Sequence, residues 1–147
     1  MRASKPVLEK KKYFTVAEAN AALPLVGAIV RDIAELAKDL RERKDRLAHV
    51  APPQRGRLGD AYREELEQAE AEIDRDYERL REYEQELKNL GVELKDYFTG
   101  LVDFLCRFDN RDVYLCWRLG EPEVTYWHEL DAGFAGRQKL GGRAGKR

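Results

Sequence analysis

The chain has 147 residues, 37% of them charged, yet its formal net charge is only -1. That length supports one domain with a real core, and dense, balanced charge beside 43% hydrophobic residues points to long amphipathic helices and away from disorder. No apolar run approaches the roughly 18 residues of a membrane span; the opening MRASKPVLEKKKYF lacks the apolar segment of a secretory signal; two cysteines with no CxxC spacing and only His49 and His128 argue against a zinc module or a disulfide scaffold.

The first stretch, 1–12, is basic and reads as a flexible terminus, with Lys5, Lys10, Lys11 and Lys12 against Glu9. Order is expected from Tyr13. Thr15-Val16-Ala17-Glu18 is a capping box: the Thr15 hydroxyl accepts an early helical N–H and Glu18 reaches back. Pro24 interrupts soon afterwards, so residues 13–48 are expected as a lead-in helix over 16–22 and a long helix from Pro24 to Ala48. In the long helix Val26, Ile29, Ile33, Leu36, Leu40 and Leu47 recur by threes and fours, with a charged break near Arg43. The stretch 49–59, with two prolines, is a loop.

A second helix is expected over 60–90. Tyr62, Leu66, Ala69, Ile73, Asp76, Leu80, Tyr83, Leu87 and Leu90 hold a heptad stripe with one polar member, Asp76. Such a stripe needs a partner stripe, and the short loop makes the two helices antiparallel neighbours. Gly91 ends the helix.

The pattern then changes from period 3.6 to period 2 across 91–130. Val102, Phe104, Cys106 and Phe108 form one row, then Val113, Leu115, Trp117 and Leu119, then Val124, Tyr126, His128 and Leu130. Asp109-Asn110 and Gly120-Glu121-Pro122-Glu123 are turns. Val92-Glu93-Leu94 reads as an added short strand. Residues 131–140 read as a glycine-rich loop and 141–147 as a disordered basic tail.

Strand parity assigns faces. A turn centred on Asp109-Asn110 sets Phe104 opposite Leu115, Cys106 opposite Val113 and Asp103 opposite Cys116. A turn centred on Glu121-Pro122 sets Trp117 opposite Tyr126, Leu115 opposite His128 and Cys116 opposite Trp127. His128 then joins an apolar face with Phe104, Cys106, Leu115, Trp117 and Tyr126. There it reads as a core residue satisfied by one hydrogen bond; the functional alternative is an imidazole whose pKa apolar surroundings lower. Cys106 and Cys116 fall on opposite faces, which precludes a disulfide. Asp103, Tyr114, Cys116, Arg118, Trp127 and Glu129 share the other face, an amphipathic surface with an ion pair or, since Trp, Tyr and Arg anchor interfaces, a protein contact.

YFTVAEANAALPLV, GVELKDYFTGLVDF and YLCWRLGEPEVTYWHELDAGFAGRQ together resemble the bacterial family of unknown function DUF2203, over Tyr13 to Leu140. The resemblance implies the fold and carries no mechanism. It places Asp103, Trp117, Arg118, Gly120, Glu121, Trp127, His128, Glu129, Gly133, Phe134, Gly136 and Arg137 inside the family's motif. LCRFDN departs from that pattern, which expects a proline and a glycine-containing turn there, so Cys106 receives no role.

Four chemistries compete with packing. A metal would use His128 with Asp131, Asp103 or Glu129, although His128 and Glu129 are strand neighbours that point apart; His128 and Asp131 are the named candidates, and no metal or other cofactor is expected. Cysteine catalysis needs Cys116 beside His128, which this register denies. The stretch Gly133–Arg137 offers a glycine-bracketed loop ending in a guanidinium, able to present N–H groups to an anion. Nucleic acid is disfavoured because the second helix is acidic.

The expected architecture is α+β: a long antiparallel helical hairpin, coiled-coil-like, packed on a small three- to four-stranded antiparallel sheet, with the sheet on the hairpin base near Pro24–Ile33 and Tyr83–Leu90. The expected function is a non-catalytic interaction or scaffold protein of the cytoplasm, without membrane or nucleic-acid partners. It self-associates through the hairpin, most simply as a dimer, and meets an unidentified protein partner. The alternative is a small anion or metal-ligand binding protein, and by extension an enzyme, with a site around His128, Arg118 and Arg137. Candidate ligand- or partner-binding residues are Asp103, Trp117, Arg118, Glu121, Trp127, His128, Glu129 and Arg137. No nucleophile–base–orienter set appears.

Overall fold

The computed structural model describes residues 11–49 and 59–141. The expected flexible terminus, the loop with its tip at Pro52-Pro53 and the basic tail lie outside them, apart from residues 11, 12, 49, 59 and 141. Two long helices, α1 (Val16–Ala48) and α2 (Asp60–Asn89), precede a sheet of β1 (Val92–Asp96), β2 (Leu101–Phe108), β3 (Arg111–Arg118), β4 (Tyr126–Glu129) and β5 (Gln138–Lys139). All neighbouring strands are antiparallel, in the order β1-β2-β3-β4-β5. The class is α+β, and the sheet has five strands where three or four were expected.

Helix α1 starts at the predicted capping box: Glu18 N–H donates to Thr15 Oγ1 at 3.0 Å, and Thr15 N–H donates to Glu18 Oε1 at 2.9 Å. It then runs through Pro24 as one helix, which corrects the expected division into two. A mid-helix proline costs about 3 kcal/mol, and here Ala19, Val26, Ile29, Val30 and Ile33 on the same helix are fully or nearly fully buried, which offsets that cost.

The two polar interruptions in the helical stripes meet each other. Arg43 of α1 donates to Asp76 of α2, 33 residues away in sequence, while Asp39 and Arg79 flank the pair. The Arg43 hydrogen bond holds the Asp76 carboxyl below the ordinary range, with Arg79 adding to the effect.

At the base of the hairpin Val26, Ile29, Val30, Ile33 and Leu87 share one core with Val92, Val102, Phe104, Phe108, Val113, Leu115 and Trp117. Phe14 enters the same core edge-on to Phe104, and its N–H donates to the Leu105 carbonyl. This occupies the β2 edge just past Phe104, the residue that pairs with Val92 at the start of β1.

The β2–β3 register matches expectation, with Phe104 opposite Leu115, Cys106 opposite Val113 and Asp103 opposite Cys116. Asp109 and Asn110 both have positive φ, 50° and 67°, the backbone of a two-residue hairpin that Asn and Asp tolerate.

The β3–β4 register is one residue away from expectation: Tyr114 faces His128, Leu115 faces Trp127 and Cys116 faces Tyr126. The chain turns first at Leu119-Gly120, where Gly120 has φ 102° and Glu121 N–H donates to the Arg118 carbonyl. It then takes a wider path through Pro122. Residues 119–125 separate the strands, an odd count, so every side chain of β4 changes face relative to a two-residue turn. Tyr126 and His128 leave the helix-facing side, and Trp127 replaces them, edge-on to Phe108.

Two glycines separate conformation from space. Gly100 has φ 70°, and a Cβ there would lie 2.7 Å from both Leu119 Cβ and Val30 Cγ1, whereas a Cβ on Gly27 would meet only the Trp117 indole at 3.7 Å. Gly100→Ala is expected to lose about 2 kcal/mol or more in urea unfolding, while Gly27→Ala holds or gains about 0.5–1 kcal/mol of helix propensity. For the interhelical pair, a double-mutant cycle with Arg43→Gln and Asp76→Asn should return a coupling of about 1 kcal/mol at low salt. Because the folded Asp76 pKa is depressed, that contribution is complete above its ordinary value and disappears as pH falls through the folded value. Unfolding midpoints of the four proteins should therefore converge in acid.

Candidate functional site

On the sheet face turned away from the helices, Asp103 on β2, Cys116 on β3 and His128 on β4 come together, each at most 2% exposed. Asp103 pairs across the strands with Cys116, and His128 pairs with Tyr114 one row along. One potential ligand atom from each of the three lies within 4.8 Å of the others. Among the described residues no other group of three or more His, Cys, Asp or Glu donors converges in this way.

Hydrogen-bond logic fixes the protons. His128 Nδ1 lies 2.7 Å from the carbonyl oxygen of Glu129. A carbonyl only accepts, so Nδ1 carries a proton. Nε2 lies 3.0 Å from both oxygens of Asp103, so one further proton is held between imidazole and carboxyl, whichever side it sits on. The Cys116 thiol lies beside the same carboxyl, within 4.8 Å of it. Burial pushes the Asp103 carboxyl up, and the hydrogen bond and charge of His128 pull against it. Burial, reinforced by the Asp103 charge, pushes the Cys116 thiol up to about 12. A thiol at that value is not a thiolate nucleophile at neutral pH.

Tyr114 roofs the cluster. Its ring lies 5.5 Å from the His128 ring, and its hydroxyl donates to Glu93 on β1 at 2.8 Å, spanning β2. Burial and then the Glu93 contact push the Tyr114 phenol up to about 12.

Beyond Cys116 on the same face, the exposed Arg118 lies over the Phe134 ring, and Arg137 lies 3.9 Å from the Tyr126 centroid. Arg137 Nη2 donates to both oxygens of Glu121, at 2.8 and 2.7 Å. The Gly133–Arg137 segment closes on itself as a 3-10 turn over Phe134–Gly136: Gly136 N–H donates to Gly133 and Arg137 N–H to Phe134. Two of the N–H groups expected for an anion are therefore spent within the turn, and the side chain of Arg137 is what faces the site.

The remaining sequence candidates scatter. Trp117 sits on the helix side and donates its indole N–H to the Glu121 carbonyl at 3.0 Å. Trp127 is on the helix side too. Glu129 pairs with Arg111, and Asp131 is an exposed turn residue outside the cluster. Cys116 was not among the sequence candidates, because the expected register put it across the sheet from His128; the structure sets the two side by side. Cys106 faces the helix side in the core, away from Cys116, as parity required.

A helical hairpin on a five-stranded antiparallel sheet, with a buried Asp–Cys–His cluster on the outer sheet face, defines the class. The chain belongs to the family of uncharacterized conserved proteins DUF2203, whose model matches residues 12–140. No curated protein and no solved structure matches it.

Removing one member of a buried pair leaves the other uncompensated, a loss of about 3–5 kcal/mol. His128→Gln and Asp103→Asn should each lower stability on that scale, and the double variant should fall well short of their sum. Asp131→Asn should stay within about 0.5 kcal/mol of the parent. Chemical denaturation of the parent and the four variants measures all of this; additive losses would show that the pair does not act as a unit.

Proposed function

We propose that the protein binds a divalent transition metal of the zinc class through Asp103, Cys116 and His128. The observation that carries this reading is the convergence of three different donor types from three adjacent strands within 4.8 Å, on a length scale set by metal–ligand bonds of about 2.0–2.3 Å. His128 supports it further: anchoring Nδ1 on a backbone carbonyl turns Nε2 toward the other two donors, the usual arrangement of a ligating imidazole.

Charge favours a dication. The metal-free cluster holds one proton between Asp103 and His128 and one on Cys116, and its net charge is zero. Exchange of those two protons for M²⁺ leaves a carboxylate, a thiolate, a neutral imidazole and the ion, again of net charge zero. A buried site resists any change in net charge. Three protein ligands leave one position of a tetrahedral ion for water or a small ligand.

Self-association through the hairpin remains part of this proposal. It is supported by the end of the hairpin away from the sheet, where Tyr62 is 48% exposed and Leu66 and Ala69 of the same stripe are only half-buried. A dimer is the expected assembly, and the cytoplasm the expected location.

Native mass spectrometry of the full chain, stripped with chelator and reloaded with zinc, should give one ion per chain. Cobalt loading should give a thiolate-to-metal absorption band in the parent that is absent in Cys116→Ser and retained in Asp131→Asn. Calorimetry in buffers of different ionisation enthalpy should register two protons released per ion. A chain that retains no ion and whose melting is indifferent to zinc overturns the metal reading. The same spectra report the number of chains: a dimer lost on Tyr62→Lys supports the hairpin interface, and a monomeric parent removes it.

A further inference from the structure

Arg118 and Arg137 share one aromatic ring. Their guanidinium carbons lie 5.2 and 4.7 Å from the Phe134 centroid, and Phe134 is itself 42% exposed. A single carboxylate serves both arginines. Glu121 accepts twice from Arg137 Nη2, and its Oε1 also accepts the backbone N–H of Arg118 at 2.9 Å. The Arg118 guanidinium has no carboxylate partner among the described residues, so the patch holds two cations and one anion.

Arg137 is not saturated. Its side chain is 9% exposed, and its Nε is buried without a partner. A guanidinium binds an oxyanion best through a fork of two parallel N–H groups, whereas Glu121 engages one nitrogen with both of its oxygens. The spare Nε completes the side-on fork with Nη2 for an anion better placed than Glu121. Arg118 is exposed on a flexible stem, with its guanidinium 5.2 Å from the same ring, and can close over that anion as a second cation.

We propose that Arg118 and Arg137, brought together on Phe134, form a subsite for an oxyanion, the carboxylate or phosphate group of a small ligand. Glu121 holds that place when the ligand is absent. The subsite lies on the same sheet face as the Asp103–Cys116–His128 cluster. Tyr126, on which Arg137 stacks, pairs directly with Cys116, and Arg118 follows Cys116 by one alternation on β3. It goes beyond the metal reading and does not depend on it.

The test is calorimetric titration of the chelator-treated full chain with inorganic phosphate and, separately, with succinate at constant ionic strength. Because no metal is present, failure of the metal reading leaves this result untouched. The parent should saturate with one anion per chain, and tighter binding of either probe supports the subsite and names its group. Arg118→Gln, an exposed change that spares the fold, should weaken binding by about tenfold or more. Glu121→Gln removes the internal competitor and should tighten it. Arg41→Gln is the control: its guanidinium also covers an exposed ring, Phe98, at 4.2 Å, and its loss should change nothing. The proposal is overturned by an absence of saturable binding in both the parent and Glu121→Gln. It is equally overturned by unchanged affinity in Arg118→Gln, or by an equal loss in Arg41→Gln.

Discussion

The pairing of Tyr114 with His128 decides what this sheet can do. Moved by one residue, His128 would face Leu115 and the helices, and Asp103 would be a buried carboxyl beside a thiol alone. The pairing is set by the path of residues 119–125 and by the contacts that hold it. Gly120 supplies the positive φ, the Trp117 indole N–H fastens the Glu121 carbonyl, and the Val124 N–H donates to Asn20 on α1 at 2.7 Å. The last of these is a tie from the hairpin to the loop. Through it the first helix helps to set which face of β4 looks outward.

Burial gives that choice its energetic weight. An isolated ionised carboxyl in the interior costs several kcal/mol, and Asp103 meets that cost with His128, whose Nε2 lies 3.0 Å from both of its oxygens. The imidazole in turn has both nitrogens engaged. The cluster is satisfied, uncharged overall and covered by Tyr114, so it holds three strands in one register without disturbing the core beneath. A group of this kind specifies an arrangement more than it adds stability, since apolar residues of equal volume would pack there at less cost. Its polarity therefore calls for a chemical reason, and exchange of two protons for a dication is one that conserves charge.

Much of the fold was legible from periodicity. The helical stripes, the capping box and the Asp109-Asn110 hairpin are local signals, and each was met in the structure. Arg43 and Asp76 stood out in sequence as separate interruptions of two apolar patterns; only the antiparallel pairing of the helices shows that they interrupt at the same level and neutralise each other. β5 is two residues long and has no period to read. Pro24 resembles a helix break in sequence because its local cost is visible there and the burial that offsets it is not. The site was half legible. Asp103 and His128 stand out in the sequence, whereas Cys116 does not, because Gly120-Glu121-Pro122-Glu123 resembles a compact turn. The residue types of that turn do not distinguish it from the wider path, which depends on the Trp117 indole reaching the Glu121 carbonyl and on Asn20 of α1, distant in sequence, accepting from Val124.

The two registers of β4 can be weighed against each other without reference to function. In the expected register Tyr126 would lie beside Trp117 and His128 beside Leu115, placing an imidazole against apolar carbon, and the large ring of Trp127 would lie on the outer face. In the observed register Trp127 joins Phe108 on the helix side, where an indole contributes more apolar burial than an imidazole, and His128 meets the one carboxyl already buried in β2. Both changes favour the same one-residue displacement. The packing of the inner face and the hydrogen bonding of the outer face thus select the register together, and the cluster of donors arises from the same selection that completes the core.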